Sequence, residues 1–372
     1  MSEGNRTSAR RTDEDLEGRA ELCAVLARAK IVGQESRFVG EPKDVLDRLV
    51  AEVSETTVVY SEEELRALPN EGPLDFELYL LSRMHEMPRF VGAAKRDGGL
   101  RVMESIRCLR DRIRTKKFLR GVAEAVATLD DGREIIRLCD AGCGAIPVQA
   151  MVAAFMSPRV RCTCIEVNEY SAYIARNVVA SFGLQDRITI VRENATTFVH
   201  DDQFDLLVSE TMHAALTAEP IVQIMTHLRP FVTPGGIVLP SAIIVRAAVM
   251  RAAEYEHPRG YVSLYGDPQY YVEPDWKTVV TYHPGDALDV IEFTIPIPDM
   301  EGDYVVLITS EVDIGRQHLS PYQSLITTPQ ALREPDGNFR IFHADGNAPH
   351  ARVRVQYQPG DLLEDIQSVS ER

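Results

Sequence analysis

Residues 135–149 constrain the fold of this chain more than any other segment. An apolar run ends at the acidic Asp140, and a Gly-x-Gly turn follows it at Gly142 and Gly144. Glycine lets the backbone turn tightly and approach a ligand closely, and Pro147 suits the first turn of a following helix. The segment therefore predicts a β-strand that leads into a ligand-binding loop. The third glycine of the dinucleotide fingerprint is replaced by Pro147, which disfavours a pyrophosphate-binding NAD site.

Further strand and helix patterns follow at the intervals of an α/β sheet. Residues 159–166 form a second β-branched run, and it ends in Glu166, a carboxylate that can accept both ribose hydroxyls of a nucleoside. Residues 170–183 have the spacing of an amphipathic helix closed by a glycine. Three more strands are predicted over 188–191, 204–210 and from 234 to 239. Strands that alternate with helices predict a parallel sheet, with ligands bound beyond the carboxyl ends of its strands.

From about residue 110 to 245 these features resemble a class I S-adenosylmethionine-dependent methyltransferase, and more narrowly the protein arginine methyltransferase branch. The resemblance implies S-adenosylmethionine as the cofactor. It also implies that Arg114 of the Arg-Thr pair holds the carboxylate of the methionine moiety. Asn194, after the third strand, carries an amide that can read an adenine edge. The cofactor-binding residues expected in this way are Arg114, Asp140, Gly142, Gly144, Glu166, Asn194 and Ala195.

The acceptor residues are expected after the fourth strand. Ser209-Glu210-Thr-Met212, with Glu219 nine positions after Glu210, resembles the family's loop that carries two substrate glutamates. Two carboxylates there attract a cationic or amine-bearing substrate and orient its lone pair. His213 occupies the position of the family's usual glycine and is a candidate general base. The catalytic residues expected are therefore Glu210, Glu219 and His213, and we expect no metal.

Departures from the family decide which acceptor is expected. The Thr-His-Trp signature has no counterpart that we find, since the nearest segment, 320–330, lacks both histidine and tryptophan. We therefore expect a methyltransferase that acts on a small amine or amino-acid-like metabolite. Two alternatives stay open. One is a divergent protein arginine N-methyltransferase, favoured by the glutamate spacing, and the other is an enzyme that transfers or cyclises the aminocarboxypropyl group of the same sulfonium.

Shifts in composition divide the chain into four predicted regions. Residues 1–16 are polar and predicted to be a disordered tail, and 17–109 have helical patterns typical of a cap that closes over a substrate pocket. Residues 110–241 form the expected S-adenosylmethionine-binding domain. Period-two patterns and turns at His283-Pro-Gly and Pro335-Asp-Gly predict an antiparallel β-rich substrate or dimerisation domain over 242–372. The fold class expected is α/β, a Rossmann-like class I methyltransferase core with an N-terminal helical region and a C-terminal antiparallel β domain.

The net charge and the cysteine pattern limit which partners and ligands we expect. A formal net charge of −16 disfavours nucleic acid or an anionic membrane as a partner. The six cysteines contain no Cys-x-x-Cys pair, which favours buried thiols over zinc ligands. With no signal-peptide pattern at the start and no apolar run near the ~20 residues of a membrane span, we expect a cytoplasmic location. The expected partner is a small-molecule substrate, and a homodimer is compatible with the β-rich domain.

Overall fold

The computed structural model describes residues 105, 108, 111–130, 132–255, 274–344 and 351–371. The predicted tail over 1–16 and all but two residues of the predicted cap over 17–109 lie outside the described residues. The chain divides into two compact units that alternate along the sequence. Of the described residues, the first unit contains 105–208 and 231–237, and the second contains 209–230 and 238–371.

A five-stranded sheet organises the first unit, and its strand order is β3-β2-β1-β4-β5. Its strands β1, β2 and β3 pair in parallel. The strands are β1 (Ile136–Ala141), β2 (Val160–Ile165), β3 (Ile188–Val191), β4 (Phe204–Ser209) and β5 (Val232–Leu239). The order reverses between β1 and β4, which is the position where open α/β sheets bind ligands beyond their carboxyl ends.

Burial along the strands explains why the central ones read as continuous apolar runs. All six residues of β4 are buried, and so are five of the six residues of β1. In β3, which pairs only with β2 among the described strands, buried and more accessible residues alternate. A strand covered on both faces needs apolar side chains at most of its positions. The polar residues of β1, Arg137 and Asp140, each lie one position from an end of the strand. Asp140 lies in register with Cys164 of β2.

In the described part of the first unit, three helices accompany the sheet: α1 (Arg112–Leu129), α2 (Val148–Met156) and α3 (Glu169–Ser181). The side chain of Asp111 caps α1 by accepting from Arg114 N, and Asn168 caps α3 by accepting from Tyr170 N and Ser171 N. Helix α2 begins directly after Pro147, which lacks the donor that a helix start leaves unpaired. The predicted helix over 170–183 is confirmed within two residues, and Gly183 follows it with a φ of 67°.

The second unit is mainly antiparallel. One sheet has the order β10-β9-β6-β7, with β11 and β12 also paired to β9, and another has the order β14-β13-β8. The unit also contains helix α4 (Ile221–Leu228). Its strands are β6 (Ala242–Arg251), β7 (Lys277–Tyr282), β8 (Ile291–Pro296), β9 (Gly302–Ile314), β10 (Gln317–Leu319), β11 (Gln330–Ala331), β12 (Phe342–Ala344), β13 (Arg352–Tyr357) and β14 (Gln367–Glu371).

The predicted fold class is confirmed: a Rossmann-like sheet with helices precedes an antiparallel β region. The two turns predicted from His283-Pro-Gly and Pro335-Asp-Gly contain Gly285 and Gly337 at φ values of 98° and 84°. Both values lie where a side chain is disfavoured. Among the described residues, none of the helices has the length and apolar composition needed to cross a membrane.

Candidate functional site

The glycine loop, residues 142–144, leaves the carboxyl end of β1 in the way the sequence predicts. Gly142 and Gly144 have φ values of 78° and 67°, which glycine adopts without a steric cost. The amides of Gly142 and Cys143 both donate to Ile165 O, at 2.8 and 3.1 Å, so the loop is tied to the end of β2. The next amide, Gly144 N, donates to Glu166 Oε2 at 2.9 Å. Three successive amides of the loop are therefore bound by residues 165 and 166.

Glu166 joins the ends of two strands. Its Oε1 accepts from Asn168 N at 2.7 Å, while its Oε2 accepts from the glycine loop. The side chain is buried, and burial raises the pKa of this carboxyl, while the amides of Asn168 and Gly144 oppose that rise. A carboxylate oxygen has two acceptor positions, so both oxygens can still accept from a ligand's hydroxyl groups.

Asp140 is the most unusual polar group of the first unit. It is 2% exposed, and its Oδ2 atom makes no hydrogen bond to the described part of the chain. Burial raises the pKa of Asp140 to about 7; the amide of Ala150 lowers it in part, and the negative charge of Glu166 raises it further. A buried acceptor without a donor is costly, and such groups are typical of sites that bind a ligand.

Arg114 lies in the first turn of α1 and is 4% exposed. Its guanidinium donates to Cys108 O at 2.7 Å, and its Nε lies 3.7 Å from Asp111 Oδ2. These two contacts orient the guanidinium group. The structure thus places Arg114 in the same unit as Asp140 and Glu166, in a buried and oriented form.

Ser105 contacts the end of the glycine loop, although no sequence pattern marks it. Its Oγ accepts from Ala145 N at 3.4 Å, and a Cβ added at Gly144 would lie 3.3 Å from Ser105 Cβ. The glycine at 144 is therefore required by a close approach as well as by its φ. A single serine in a helical pattern carries no motif, so only the three-dimensional contact reveals it.

Asn194 and Ala195 follow β3. Ala195 is buried, whereas Asn194 is exposed and its Oδ1 accepts from both N and Oγ1 of Thr196 at 2.9 Å. The acceptor atom of this amide is used in a local turn. Its Nδ2 atom makes no hydrogen bond to the described residues, and it is the atom through which Asn194 can donate to a base.

The glutamate loop, residues 210–219, begins directly after β4 and belongs to the second unit. Glu210 and Glu219 are both partly exposed. Between them, Ala215, Leu216 and Ala218 have φ values of 56°, 61° and 61°. Each such residue costs about 1–3 kcal/mol, and strain of this kind persists only where the surroundings impose it.

Four hydrogen bonds from distant segments impose that shape. They come from β9 and from residues 357–361, at and after the end of β13. Ser310 Oγ accepts from Ala215 N at 2.8 Å, Tyr357 OH donates to Ala215 O at 2.8 Å, Gly360 N donates to Leu216 O at 2.8 Å, and Asp361 O accepts from Ala218 N at 2.9 Å. The backbone of the loop is thus held in one conformation between its two glutamates.

His213 is partly buried in this loop. Its Nδ1 lies 3.0 Å from Thr217 Oγ1, and Thr217 Oγ1 donates to Ala214 O at 2.7 Å. Burial lowers the pKa of His213, so the ring is neutral near pH 7. His213 lies on the same loop as Glu210 and Glu219, and the catalytic role of all three stays a prediction.

Four of the described cysteines are buried in the first unit. Cys139, Cys143, Cys162 and Cys164 are buried free thiols, as expected for Cys162 and Cys164. Burial raises the pKa of Cys139, Cys162 and Cys164, which keeps them as unreactive neutral thiols. In the part of the chain that the structure describes, no three His, Cys, Asp or Glu side chains are grouped so as to hold a metal ion.

Comparison with known proteins gives partial matches. No family model matches the chain. An arginine N(omega)-methyltransferase of Streptomyces achromogenes subsp. streptozoticus is 32% identical over 140 residues, covering 36% of each chain. Probable protein arginine N-methyltransferase 6 of Arabidopsis thaliana is 24% identical over 151 residues, covering 40% of this chain and 33% of that protein. The chain therefore spans about a third of the length of these curated relatives.

Solved structures with a similar fold have low sequence identity. The Trypanosoma brucei PRMT1 enzyme-prozyme heterotetrameric complex with AdoHcy matches with a TM-score of 0.47 at 14% identity, covering 72% of this chain and 96% of that chain. A crystal structure of PRMT6 matches with a TM-score of 0.48 at 14% identity, covering 73% of this chain and 99% of that chain.

Proposed function

We propose that this chain is an S-adenosylmethionine-dependent arginine N-methyltransferase. The observation that carries the proposal is the pair of buried carboxyl groups, Asp140 and Glu166, at the carboxyl ends of two neighbouring parallel strands around the glycine loop. Asp140 has an oxygen that receives no hydrogen bond from the described residues, and Glu166 accepts from the amides of Gly144 and Asn168. Such a pair suits a ligand that carries both an ammonium group and a ribose.

The residues of the first unit fit this cofactor. The unpartnered Oδ2 of Asp140 is suited to accept from the ammonium group, and a positive charge beside it would return its raised pKa towards the ordinary value. Glu166 keeps acceptor positions for two ribose hydroxyls. Gly144 has no side chain to fill the space beside Ser105. Arg114 supplies donors for the carboxylate of the methionine moiety, and Asn194 supplies a donor for the adenine.

S-adenosylmethionine, when bound, supplies a methyl group that its sulfonium already activates. The contribution asked of the chain is therefore to bind the acceptor and orient its nucleophilic nitrogen. We assign this role to Glu210 and Glu219 in the glutamate loop. A guanidinium group presents several N–H donors in one plane, and carboxylates accept from it in charge-assisted pairs.

The choice of arginine as the acceptor rests on the relatives. Their names specify arginine or protein arginine as the group that is methylated, and the two matches cover 36% and 40% of this chain. These comparisons do not support our expectation of a small amine or amino-acid-like acceptor, and they favour the alternative of arginine N-methylation. The aminocarboxypropyl alternative gains no support from any contact in the described residues.

The test is an incubation of the purified full chain with S-adenosylmethionine labelled in its methyl carbon. L-arginine, an arginine-containing peptide and a matched lysine-containing peptide serve as acceptors. We expect label on the guanidinium of arginine, in one or both arginine acceptors, and none on lysine. Label on lysine alone, or transfer of the methionyl carbons from doubly labelled cofactor, would contradict the proposal.

The roles of the two glutamates can be tested separately from cofactor binding. Glu210→Gln and Glu219→Gln keep the shape of each side chain but remove its charge. We expect cofactor affinity to stay nearly constant while turnover falls by about 10² or more, because the acceptor is no longer held in line with the methyl group. Glu364→Gln, an exposed glutamate of the same unit, is the control. Normal turnover in both variants would show that the loop does not bind the acceptor.

A further inference from the structure

The hydrogen bonds of His213 define which of its nitrogens carries the proton. The carbonyl of Ala214 can only accept, so the 2.7 Å bond to it uses the single hydrogen of the Thr217 hydroxyl. Thr217 Oγ1 must then accept in its 3.0 Å contact with His213 Nδ1. The neutral ring therefore carries its hydrogen on Nδ1. Its lone pair is on Nε2, which makes no hydrogen bond within the described residues.

Thr217 is well placed to hold the ring in this form. Its side chain is fully buried, and its amide also donates to Ala214 O, at 3.2 Å. Residues on either side of it, Leu216 and Ala218, are fixed in left-handed conformations by residues 360 and 361. A ring whose Nδ1 donates to a rigid acceptor keeps both its tautomer and its orientation, which is the arrangement that positions histidine bases in enzymes.

Burial keeps the ring of His213 neutral, and the surrounding charges do not oppose this effect. The turn that contains Ala214–Leu216 packs against β6, β9 and the turn Leu325–Thr327. Ser310 of β9 meets the loop with a hydroxyl, and Arg246 of β6 is paired with Glu311 of β9 at 2.8 Å. Glu210 and Glu219 are the carboxylates of the loop itself. Burial is the cause of the lowered pKa of His213, and no neighbouring charge raises it.

We propose that Nε2 of His213 accepts the proton that the guanidinium nitrogen loses when it is methylated, an inference that rests on the proposed function. The acceptor nitrogen forms the new bond to the methyl carbon, and the bond between that carbon and sulfur breaks with its electron pair left on sulfur. The nitrogen's proton moves to Nε2, and the resulting imidazolium returns it to water. Glu210 and Glu219 then keep their charge throughout and remain available to hold the cationic product and substrate alike.

The tautomer is tested first, without cofactor or acceptor. Protein labelled with ¹⁵N in histidine is examined by long-range ¹H–¹⁵N NMR, and His213 is assigned by the loss of its signals in His213→Asn. We expect Nδ1 to be protonated and Nε2 to be unprotonated at pH 7.5. Thr217→Ser should keep this tautomer, whereas Thr217→Val should lose the preference because the acceptor is gone. A wild-type ring protonated on Nε2 would overturn the proposal.

The second test is turnover of arginine. His213→Asn places an amide N–H close to the position of Nδ1, so it can still donate to Thr217, but it has no group at Nε2. We expect cofactor affinity to be unchanged and the single-turnover rate to fall by about 10²–10⁴. His213→Ala should recover part of this rate when imidazole is added, and His283→Asn, at an exposed histidine of the same unit, should behave like wild type.

The outcomes separate the two proposals. A wild-type chain that methylates no arginine contradicts the proposed function, whatever the tautomer of His213. A chain that methylates arginine at the wild-type rate with His213→Asn keeps the proposed function and overturns the role of His213. Loss of rate in His213→Ala without any recovery in imidazole would also count against a proton acceptor at this position.

Discussion

The glycine loop and the glutamate loop both pass through left-handed backbone conformations, but their sequences reach them differently. The glycine loop does so at Gly142 and Gly144, where no Cβ opposes the turn. The glutamate loop does so at Ala215, Leu216 and Ala218, where each residue is strained. In the first loop the conformation is a local property of the sequence. In the second it is imposed by hydrogen bonds from residues 95 to 144 positions away.

The two loops also differ in which of their groups is energetically unfavourable. The glycine loop is relaxed in its backbone but lies beside a buried carboxyl group that lacks a donor, Asp140. In the glutamate loop, the buried backbone groups of Ala215 are hydrogen-bonded to Ser310 and Tyr357, and the unfavourable energy is the strain of the left-handed backbone. Under the proposed function, the first loop binds the cationic cofactor and the second holds the acceptor, and four experiments test this contrast.

The largest effect is expected at Asp140. Its folded pKa of about 7 lies above the ordinary value of 3.8, so the folded state holds the proton more tightly than the unfolded chain does. The associated stability is complete below about pH 3.8 and is lost as the pH rises through 7, up to about 4 kcal/mol. Asp140→Asn should abolish this loss and raise the free energy of unfolding at pH 8 while weakening cofactor binding. Urea titrations at pH 4.5 and pH 8 provide the measurement.

The control for that experiment is Asp201→Asn, which changes an exposed aspartate of the same unit. It should leave the pH dependence of unfolding unaltered. Identical pH dependence of unfolding in wild type and Asp140→Asn would mean that burial does not raise the pKa of Asp140.

The second effect is on cofactor affinity and concerns Glu166. Glu166→Ala removes the acceptor for the amides of Gly144 and Asn168 as well as the expected ribose contact. We expect the affinity for S-adenosylmethionine to fall by about 1–3 kcal/mol in calorimetry, the value of lost charge-assisted hydrogen bonds. Glu169→Ala, at an exposed carboxylate of α3, should bind normally. Wild-type affinity in a folded Glu166→Ala would remove the ribose assignment.

The third experiment releases the glutamate loop. Tyr357→Phe removes the hydroxyl that donates to Ala215 O at 2.8 Å and leaves that buried carbonyl without this donor. The free energy of unfolding should fall by about 1–2 kcal/mol. Turnover should fall as well, while cofactor affinity stays constant, because only the second unit is altered. Tyr173→Phe, at a tyrosine that is 55% exposed, is the control. A variant with lowered stability and full turnover would show that the loop functions without its imposed shape.

The smallest effects come from exchanging glycine and alanine at left-handed positions. Ala218 is exposed with a φ of 61°, so Ala218→Gly should relieve strain and raise stability by about 0.5–1 kcal/mol. Gly183 has a φ of 67° with open space around its Cα, so Gly183→Ala should lower stability by a similar amount. Thermal unfolding measures both. Shifts of the same sign would contradict the assignment of backbone strain to the glutamate loop.

Local signals explain why the first loop was predictable. Its signals lie at neighbouring positions of the sequence: an acidic residue at the end of an apolar run, two glycines, and a second strand that ends in an acidic residue. In the structure, the hydrogen bond from Gly144 N to Glu166 connects the two strand ends. The strand over 188–191 was predicted to the residue for the same reason. The antiparallel region was predicted from its period-two pattern, although the pairing of β13 with both β8 and β14 needed the structure.

Non-local contacts explain what the sequence did not reveal. Alanine and leucine at 215, 216 and 218 are ordinary helix formers, and no local pattern marks them as left-handed. The serine at 310 and the tyrosine at 357 lie within strands and read as ordinary strand residues. The same holds for Ser105, whose hydrogen bond with Ala145, directly after the glycine loop, spans 40 positions. The proton on Nδ1 of His213 followed only from the bond between Thr217 and Ala214.

The bond from Tyr357 to Ala215 also sets an order for maturation during synthesis. The two residues are separated by 142 positions, so this bond can form only after residue 357 has been synthesised. The parallel strands β1 to β4 are made before residue 210 and need none of those later residues for their own pairing. In a nascent chain the strands around the glycine loop would thus be complete before the glutamate loop receives the bond that fixes its shape.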